Sequence, residues 1–430
     1  MRNTQGGGMT SAVAAPSRAA ASAWILYDVA SSAYALMIPS VAYAVYFRSY
    51  VAGDSAAADA LWAIAVALPL IAAGLLGPLV GALADVTGHR GRLLRLATVA
   101  SAGATALLST VGKGDVLLGT SLFFVAQLAY MTAVAIYDSY LPFVAAPGRA
   151  GRLSGLGWGL GYLGAVAVFF VTLPLTRGGL SEATAQTFAR TFLVTGAFYF
   201  VLALPALAAL PRPPGSMQPE DAGGAVAQAY ERILTTLRAW RHDREIPKLL
   251  VAFYLVNDGI VTATLFIPIF LKITFGVPVE QILQLTLLFH FTAIPATILF
   301  GWLADRWSQR GAIYVTLVIW AGILALMMLG TGPWVPTALA LTLGLVIGST
   351  QSLFRSLFVR MVPRERASEY FGFHGLVGRV SAALGPLVFG LVSTGTGNQR
   401  LAMLSIGFFM LAGAWMLSRL RIPGAKADES

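Results

Sequence analysis

The chain has 430 residues, of which 57% are hydrophobic and only 11% charged, and its mean hydropathy is +0.74. Soluble domains carry roughly 25% charged residues, so a water-soluble fold is excluded. A bilayer-spanning helix needs about 20 mostly apolar residues, which leaves room for about twelve spans and short loops. The net charge of +10 would point to nucleic acid in a soluble protein. Here it fits the Lys/Arg bias of membrane-protein loops, and no nucleic-acid partner is expected. Cysteine is absent, which removes disulfides, thiolate metal sites and a catalytic cysteine. His89, His242, His290 and His374 lack metal-ligand spacing, and no cofactor is expected.

In chain order, residues 1–20 are small and polar and predict a cytoplasmic tail. The apolar stretch that follows is too long for a signal-peptide core and has no cleavage site, so it predicts a retained first span. Apolar runs predict spans over 21–47, 60–84, 93–111, 116–143, 153–175 and 191–210, a first bundle occupying 21–210. Residues 211–247 predict a cytoplasmic linker. Its first part is Pro/Gly/polar; its second spaces Val226, Ala229, Ile233, Leu237 and Trp240 helically, opposite Arg232, Arg238, Arg241 and Arg244. Such a helix lies on an anionic membrane surface or simply connects. A second bundle, 248–420, follows with runs over 249–271, 282–304, 312–329, 335–359, 370–392 and 401–420, and then a tail, 421–430. With the N-terminus inside, 21 Lys/Arg fall on the cytoplasmic side and six outside, Arg355 and Arg379 being left in the membrane. The positive-inside rule therefore places both termini in the cytoplasm; a bacterial cytoplasmic membrane is expected.

The two halves repeat. "GALADVTGHRGR" follows the second run and "GWLADRWSQRG" the eighth, sharing Gly-x-Leu-Ala-Asp. "YDSYLP" leads through a basic turn to "GLGWGLGYLG", and "FRSLFV" through another to "GFHGLVGRV". Tyr27-Asp28 in the first run matches Asn257-Asp258 in the seventh. Such matches in one order indicate duplication. The expected fold is all-α and integral to the membrane, with about 12 transmembrane helices in two pseudo-symmetric six-helix bundles.

Two parallel six-helix halves are the plan of major facilitator transporters. Gly81, Leu83, Asp85, Gly88, Arg90 and Arg92 resemble that superfamily's loop motif, and Gly301, Asp305 and Arg310 resemble a second copy. More specifically, "AWILYDVASSAYA", "YDSYLP", "GRLSGLGWGLGYLG", "VNDG" and "SLFRSLFVRMVPRERASEYFGF" resemble the vacuole-effluxer-like family, which includes the fungal autophagy-related vacuolar amino-acid effluxer. The resemblance implies a secondary active transporter, not an enzyme, working by alternating access; the opposite intramembrane charges suit an amino acid or small peptide-like zwitterion, with efflux the expected direction. The resemblance also implies that Asp85, Arg90 and Asp305 gate the inner end, the Asp capping a helix of the other half. A lipid-like or drug-like solute, and a non-transporting scaffold or receptor on the same fold, are the alternatives. The expected partners are a small-molecule solute, protons and membrane lipids, with the chain a monomer.

Ionised residues at a helix centre cost about 2.5–3.5 kcal/mol and are presumed to face a cavity or a partner. Here they are Asp28, Asp138, Asp258, His290, Arg355, His374 and Arg379. Asp28 (with Tyr27 and Ser31) and Asp258 (with Asn257) are candidates for holding an amine or a proton, or else for pairing with arginine. Arg379 is a candidate for a carboxylate or phosphate. His290 suits proton coupling; His374 is a weaker candidate. Asp138 and Arg355 occupy equivalent positions of opposite sign and are expected to pair across the inner gate.

Overall fold

The computed structural model describes residues 17–53, 56–211 and 222–422. Arg2, Arg212 and Lys426, used above to orient the chain, lie outside the described residues. Among the described residues, twelve helices are long and apolar enough to cross a membrane. Spans 1 to 6 are Arg18–Val51, Ala57–Thr87, Arg90–Thr110, Val116–Val144, Ala150–Thr176 and Ala185–Ala209. Spans 7 to 12 are Glu245–Phe275, Gln284–Arg306, Gln309–Leu329, Val335–Met361, Arg364–Thr396 and Gln399–Ser418. The predicted apolar runs sit largely within these helices, but several helices run a turn or more further. Span 7 begins at Glu245, and span 1 at Arg18 behind a Ser17 cap that accepts from the Ala20 amide at 3.0 Å. Hydropathy marks the part of a helix in hydrocarbon, whereas its backbone hydrogen bonds carry it on into the headgroup zone. Leu75, Leu117, Val318 and Leu411 project outward almost uncovered, as lipid-facing residues do.

The packing is pseudo-symmetric. Span 1 packs on spans 5 and 6, span 3 on 4 and 6, and span 2 on 4; six places later, span 7 packs on 11 and 12, span 9 on 10 and 12, and span 8 on 10. The halves meet chiefly where span 2 lies against span 11 and span 5 against span 8, two contacts that the same symmetry exchanges. Both lie at the end that carries the Gly-x-Leu-Ala-Asp segments, hereafter the motif end. Glycine allows this approach: a Cβ on Gly81 would stand 2.1 Å from the Ser368 carbonyl oxygen, and one on Gly301 2.4 Å from that of Gly151.

Span 1 is not a uniform helix. Leu36–Val41 winds as a π-helix around Pro39, which has no amide to donate, and the Ser40 hydroxyl bonds back to the Ala35 carbonyl at 2.9 Å. Such a widened turn shifts the register of the face that the helix presents; Ala35, Leu36 and Ser40 border the central cavity.

The linker helix, Ala222–Ala239, packs on span 2. Its protein-facing side takes Ala229, Ile233 and Trp240 of the predicted stripe together with Ala225 and Thr236, whereas Val226 and Leu237 of that stripe are exposed. Ala225 and Ala229 let the helix lie close, and Ile233 and Trp240 pack beside them.

Candidate functional site

The central cavity has two connected zones. The inner zone, about 420 Å³, holds the charged side chains: Asp28, Asp138 and Arg355 line it with Ser31, Gln351 and His374, among apolar neighbours such as Val134 and Phe253. The outer zone, about 800 Å³, widens away from the motif end and is chiefly apolar, with Ile260, Leu271, Leu285, Phe289, Leu343 and Ile347 on its walls. His290, Tyr162 and Gln351 border both. These volumes suit a small organic molecule.

Arg355 of span 10 occupies the floor. Its Nη2 donates to Asp28 of span 1 and its Nη1 to Asp138 of span 4, each at 3.0 Å. Its Nε donates to Ser154 Oγ of span 5 at 2.9 Å, and Nη2 also reaches the Ser154 carbonyl at 3.0 Å. The guanidinium lies 4.8 Å from the Trp24 ring centre and 5.8 Å from that of Trp158. One residue of the second half is thus held by three helices of the first. An arginine buried in hydrocarbon needs such saturation, because each unpaired N–H would keep its desolvation cost. The floor carries two carboxylates and one guanidinium, an excess of one negative charge if all are ionised.

Below the floor, the motif end is shut by two equivalent caps. Asp85 of span 2 accepts from the backbone amides of Ser368 at 3.2 Å and Glu369 at 2.9 Å, in the first turns of span 11. Asp305 of span 8 accepts from the amides of Gly151 at 2.9 Å and Arg152 at 2.7 Å, at the start of span 5. A carboxylate there satisfies otherwise unpaired N–H groups and meets the positive end of the helix dipole. Arg90 pairs with Asp85 at 2.7 Å and reaches the Arg364 carbonyl at 3.1 Å; Arg360 stands 3.8 Å from Asp305.

Of the other sequence candidates, Ser31 and His290 line the cavity and Tyr27, Asp258 and Arg379 do not. Tyr27 does not line the cavity: it is fully buried in the first half, bonded to Thr98 at 2.8 Å and Tyr199 at 2.9 Å and stacked on Tyr137. Asp258, the sequence counterpart of Asp28, is buried between spans 7 and 11, where its Oδ1 accepts from the Gly385 amide at 2.9 Å. Its Oδ2 has no hydrogen-bond partner among the described residues. Arg379 points away from the cavity and donates to the carbonyls of Ala73 at 3.0 Å and Met131 at 3.4 Å, tying span 11 to spans 2 and 4. Asn257 touches the cavity only through Gln351, whose Nε2 donates to it at 2.9 Å. His290 remains at the cavity wall, its Nδ1 2.7 Å from the Thr286 carbonyl. Ser31 bonds to the Asp28 carbonyl at 3.1 Å. Sequence reasoning missed Ser154, Trp158 and Glu369. The glycine-rich run around Ser154 and Trp158 was the available signal; for Glu369 it was an acid at the start of span 11, beside the basic turn.

Residues 45–149 and 146–430 match the family model described as "Vacuole effluxer Atg22 like". The chain belongs to the vacuole effluxer Atg22-like family. It is 25% identical to the Bacillus subtilis (strain 168) protein "Uncharacterized MFS-type transporter YxiO" over 405 residues, covering 92% of this chain and 93% of that one. It is 26% identical over 299 residues to "Autophagy-related protein 22" of Yarrowia lipolytica, covering 60% of this chain and 50% of the relative; the chain thus spans about half the length of that fungal protein. Among solved structures, the proton:xylose symporter XylE superposes with a TM-score of 0.69 at 13% identity, covering 93% of this chain and 94% of that one. The human organic anion transporter MFSD10 superposes at 0.70 and 16% identity, covering 93% and 99%. These likenesses establish the major facilitator fold for this Atg22-like chain.

Proposed function

We propose that this Atg22-like chain is a secondary transporter of a small amphiphilic solute bearing an ammonium group, with an apolar amino acid or short peptide as the leading class and export as the direction. The observation that carries this reading is the two-zone cavity: a charged floor with a surplus carboxylate beneath an apolar vestibule that stays open. A substrate ammonium can compete for Asp28 or Asp138, its carboxylate can take up the Arg355 donors so freed, and its side chain can sit in the apolar zone. A lipid-like or drug-like amine satisfies the same two zones, and the breadth of the apolar part favours keeping it as the second reading. A scaffold without transport has no use for an open cavity of this size.

The gate reading follows from the same contacts. Arg355 with Asp28 and Asp138, together with the two caps, closes the motif end. The excess of Lys/Arg in the loops at that end puts it in the cytoplasm, so this conformation faces outward. A solute that draws Asp28 or Asp138 from Arg355 weakens the floor and lets the halves rock about the site. Protons are the proposed coupling ion, with Asp28, Asp138, Asp258 and His290 as the candidate carriers.

The test is a thermal-shift screen of the purified protein with amino acids, dipeptides, lipophilic amines and lysolipids, followed by flux in vesicles. A ligand of the floor raises the melting temperature dose-dependently, and the shift is lost in Asp28→Asn and Arg355→Ala but kept in Tyr27→Phe. Hits that survive both floor substitutions move the site elsewhere. A ligand that binds at the floor yet shows no flux overturns transport and leaves a receptor on the same fold.

A further inference from the structure

The linker helix does more than join the halves. It crosses the closed motif end, packed on span 2 of the first half and bonded to the start of span 11 of the second. Glu369, wholly buried, is the anchor. Its backbone amide donates to Asp85 at 2.9 Å, while its carboxylate accepts from Arg232 Nε at 3.2 Å and from Thr236 of the linker helix. Arg366 braces the joint, giving one hydrogen bond to Glu369 Oε2 at 3.0 Å and another to the Arg232 carbonyl at 3.0 Å. Arg232 also reaches the Glu365 carbonyl at 3.1 Å, and Trp240 lies 4.8 Å from the Phe373 ring. Spans 2 and 11 cannot part at this end without the linker helix releasing one of them.

The other face of this helix is uncovered. Val226, Tyr230 and Leu237 are 49%, 60% and 42% exposed, and at 100° per residue they form one stripe beside the buried alanines. Arg238, Arg241 and Arg244 are exposed at its C-terminal end. Of the nearby acids, Asp243 is engaged by the Glu245 amide at 3.1 Å, and Glu231 projects well away from the stripe. An apolar stripe flanked by arginines, placed where the spans emerge, matches the acyl boundary and anionic headgroups of a leaflet.

We infer that the exposed face of the linker helix rests on the anionic leaflet, and that this contact holds the helix as a strap across spans 2 and 11, so that anionic lipid favours the closed motif end. The occupant is the membrane surface and not a free anion, because the apolar stripe has no role in binding one. The inference rests on the gate reading above, and the experiment separates the two.

The chain has no cysteine, so spin labels at Arg95→Cys and Ser418→Cys, exposed at the motif end of the two halves, report its width by pulsed dipolar spectroscopy. The parent is placed in nanodiscs of phosphatidylcholine with or without phosphatidylglycerol. Phosphatidylglycerol is expected to lower the ratio of long-distance to short-distance populations about fivefold or more. Arg238→Ala/Arg241→Ala/Arg244→Ala and, separately, Val226→Ser/Leu237→Ser lose that response. Arg232→Ala stays wide in both lipids. Where the triple alanine variant fails to stay monodisperse, the triple lysine variant replaces it and must keep the response. Equal populations of the parent in both lipids overturn the proposal, as does a full response in both surface variants. Inorganic phosphate giving the same shift in phosphatidylcholine alone also overturns it. An Asp85→Ala/Asp305→Ala variant that fails to widen in either lipid refutes the gate itself, not the lipid contact.

Discussion

At the scale of single residues, one guanidinium decides how the halves meet. Arg355 satisfies Asp28 and Asp138 together, so no pairwise account of it is complete. Removing it by Arg355→Ala leaves two buried carboxylates without a counter-charge, which costs about 3–5 kcal/mol of the closed state and should lower the melting temperature. Replacing Asp138 with Arg sets two cations side by side with the same loss. The exchange Asp138→Arg/Arg355→Asp should recover part of it, with a double-mutant coupling of about 0.5–3 kcal/mol read from denaturation in detergent; a coupling of zero would show that the ion pair carries nothing. The opposite signs of residues 138 and 355 are visible in the repeat. The inclusion of Asp28 is not, because its apparent twin Asp258 went to a different environment. In span 7 the carboxylate caps the Gly385 amide beside Pro386, a local backbone defect that span 5 does not share at the matching place. Duplicated sequences keep the positions of charges; the neighbours determine what each charge does.

At the scale of elements, the Gly-x-Leu-Ala-Asp segments work as a unit. The aspartate can reach the amides of the opposing helix only if the glycine one turn earlier lets the two backbones close. Gly81→Ala places a methyl against the Ser368 carbonyl and should weaken closure by about 1–3 kcal/mol, seen as a wider motif end in distance measurements. Gly103→Ala, in open space on span 3, should be neutral or stabilise by about 0.4–1 kcal/mol. Equal effects at the two sites would count against the close approach as the reason for the glycine. The motif could be read from sequence as a pattern, but its partner helices could not, since span 11 and span 5 lie far along the chain and no local signal names them. The linker helix shows the converse. Its apolar stripe was legible, yet the protein divides it: Ala229, Ile233 and Trp240 pack inward with Ala225, while Val226 and Leu237 stay outside, because packing rewards fit at close range more than hydrophobicity alone.

At the scale of the whole molecule, the charge asymmetry of the loops gives a prediction independent of any solute. With the motif end cytoplasmic, a membrane-impermeant maleimide added to intact cells labels Lys113→Cys and leaves Arg149→Cys unlabelled; the reverse pattern inverts the proposed orientation and the proposed direction of opening. The cavity likewise predicts that ligands bind better to the outward-open form, so a bound amine should leave the span 3 to span 12 distance at the motif end short until the floor yields.

The sequence by itself determined the membrane class, the dozen spans, the two-fold repeat and the existence of charged residues that must find partners. These are properties of composition and period, and hydrocarbon imposes them wherever the chain folds. Only the tertiary structure decided which charges share the cavity floor, which merely cap a neighbouring helix, and which helix straps the halves together. Those outcomes depend on the rotation of each helix about its axis, set by contacts between residues hundreds of positions apart. An intramembrane charge declares its cost in the sequence, and its partner appears only once the helices have packed.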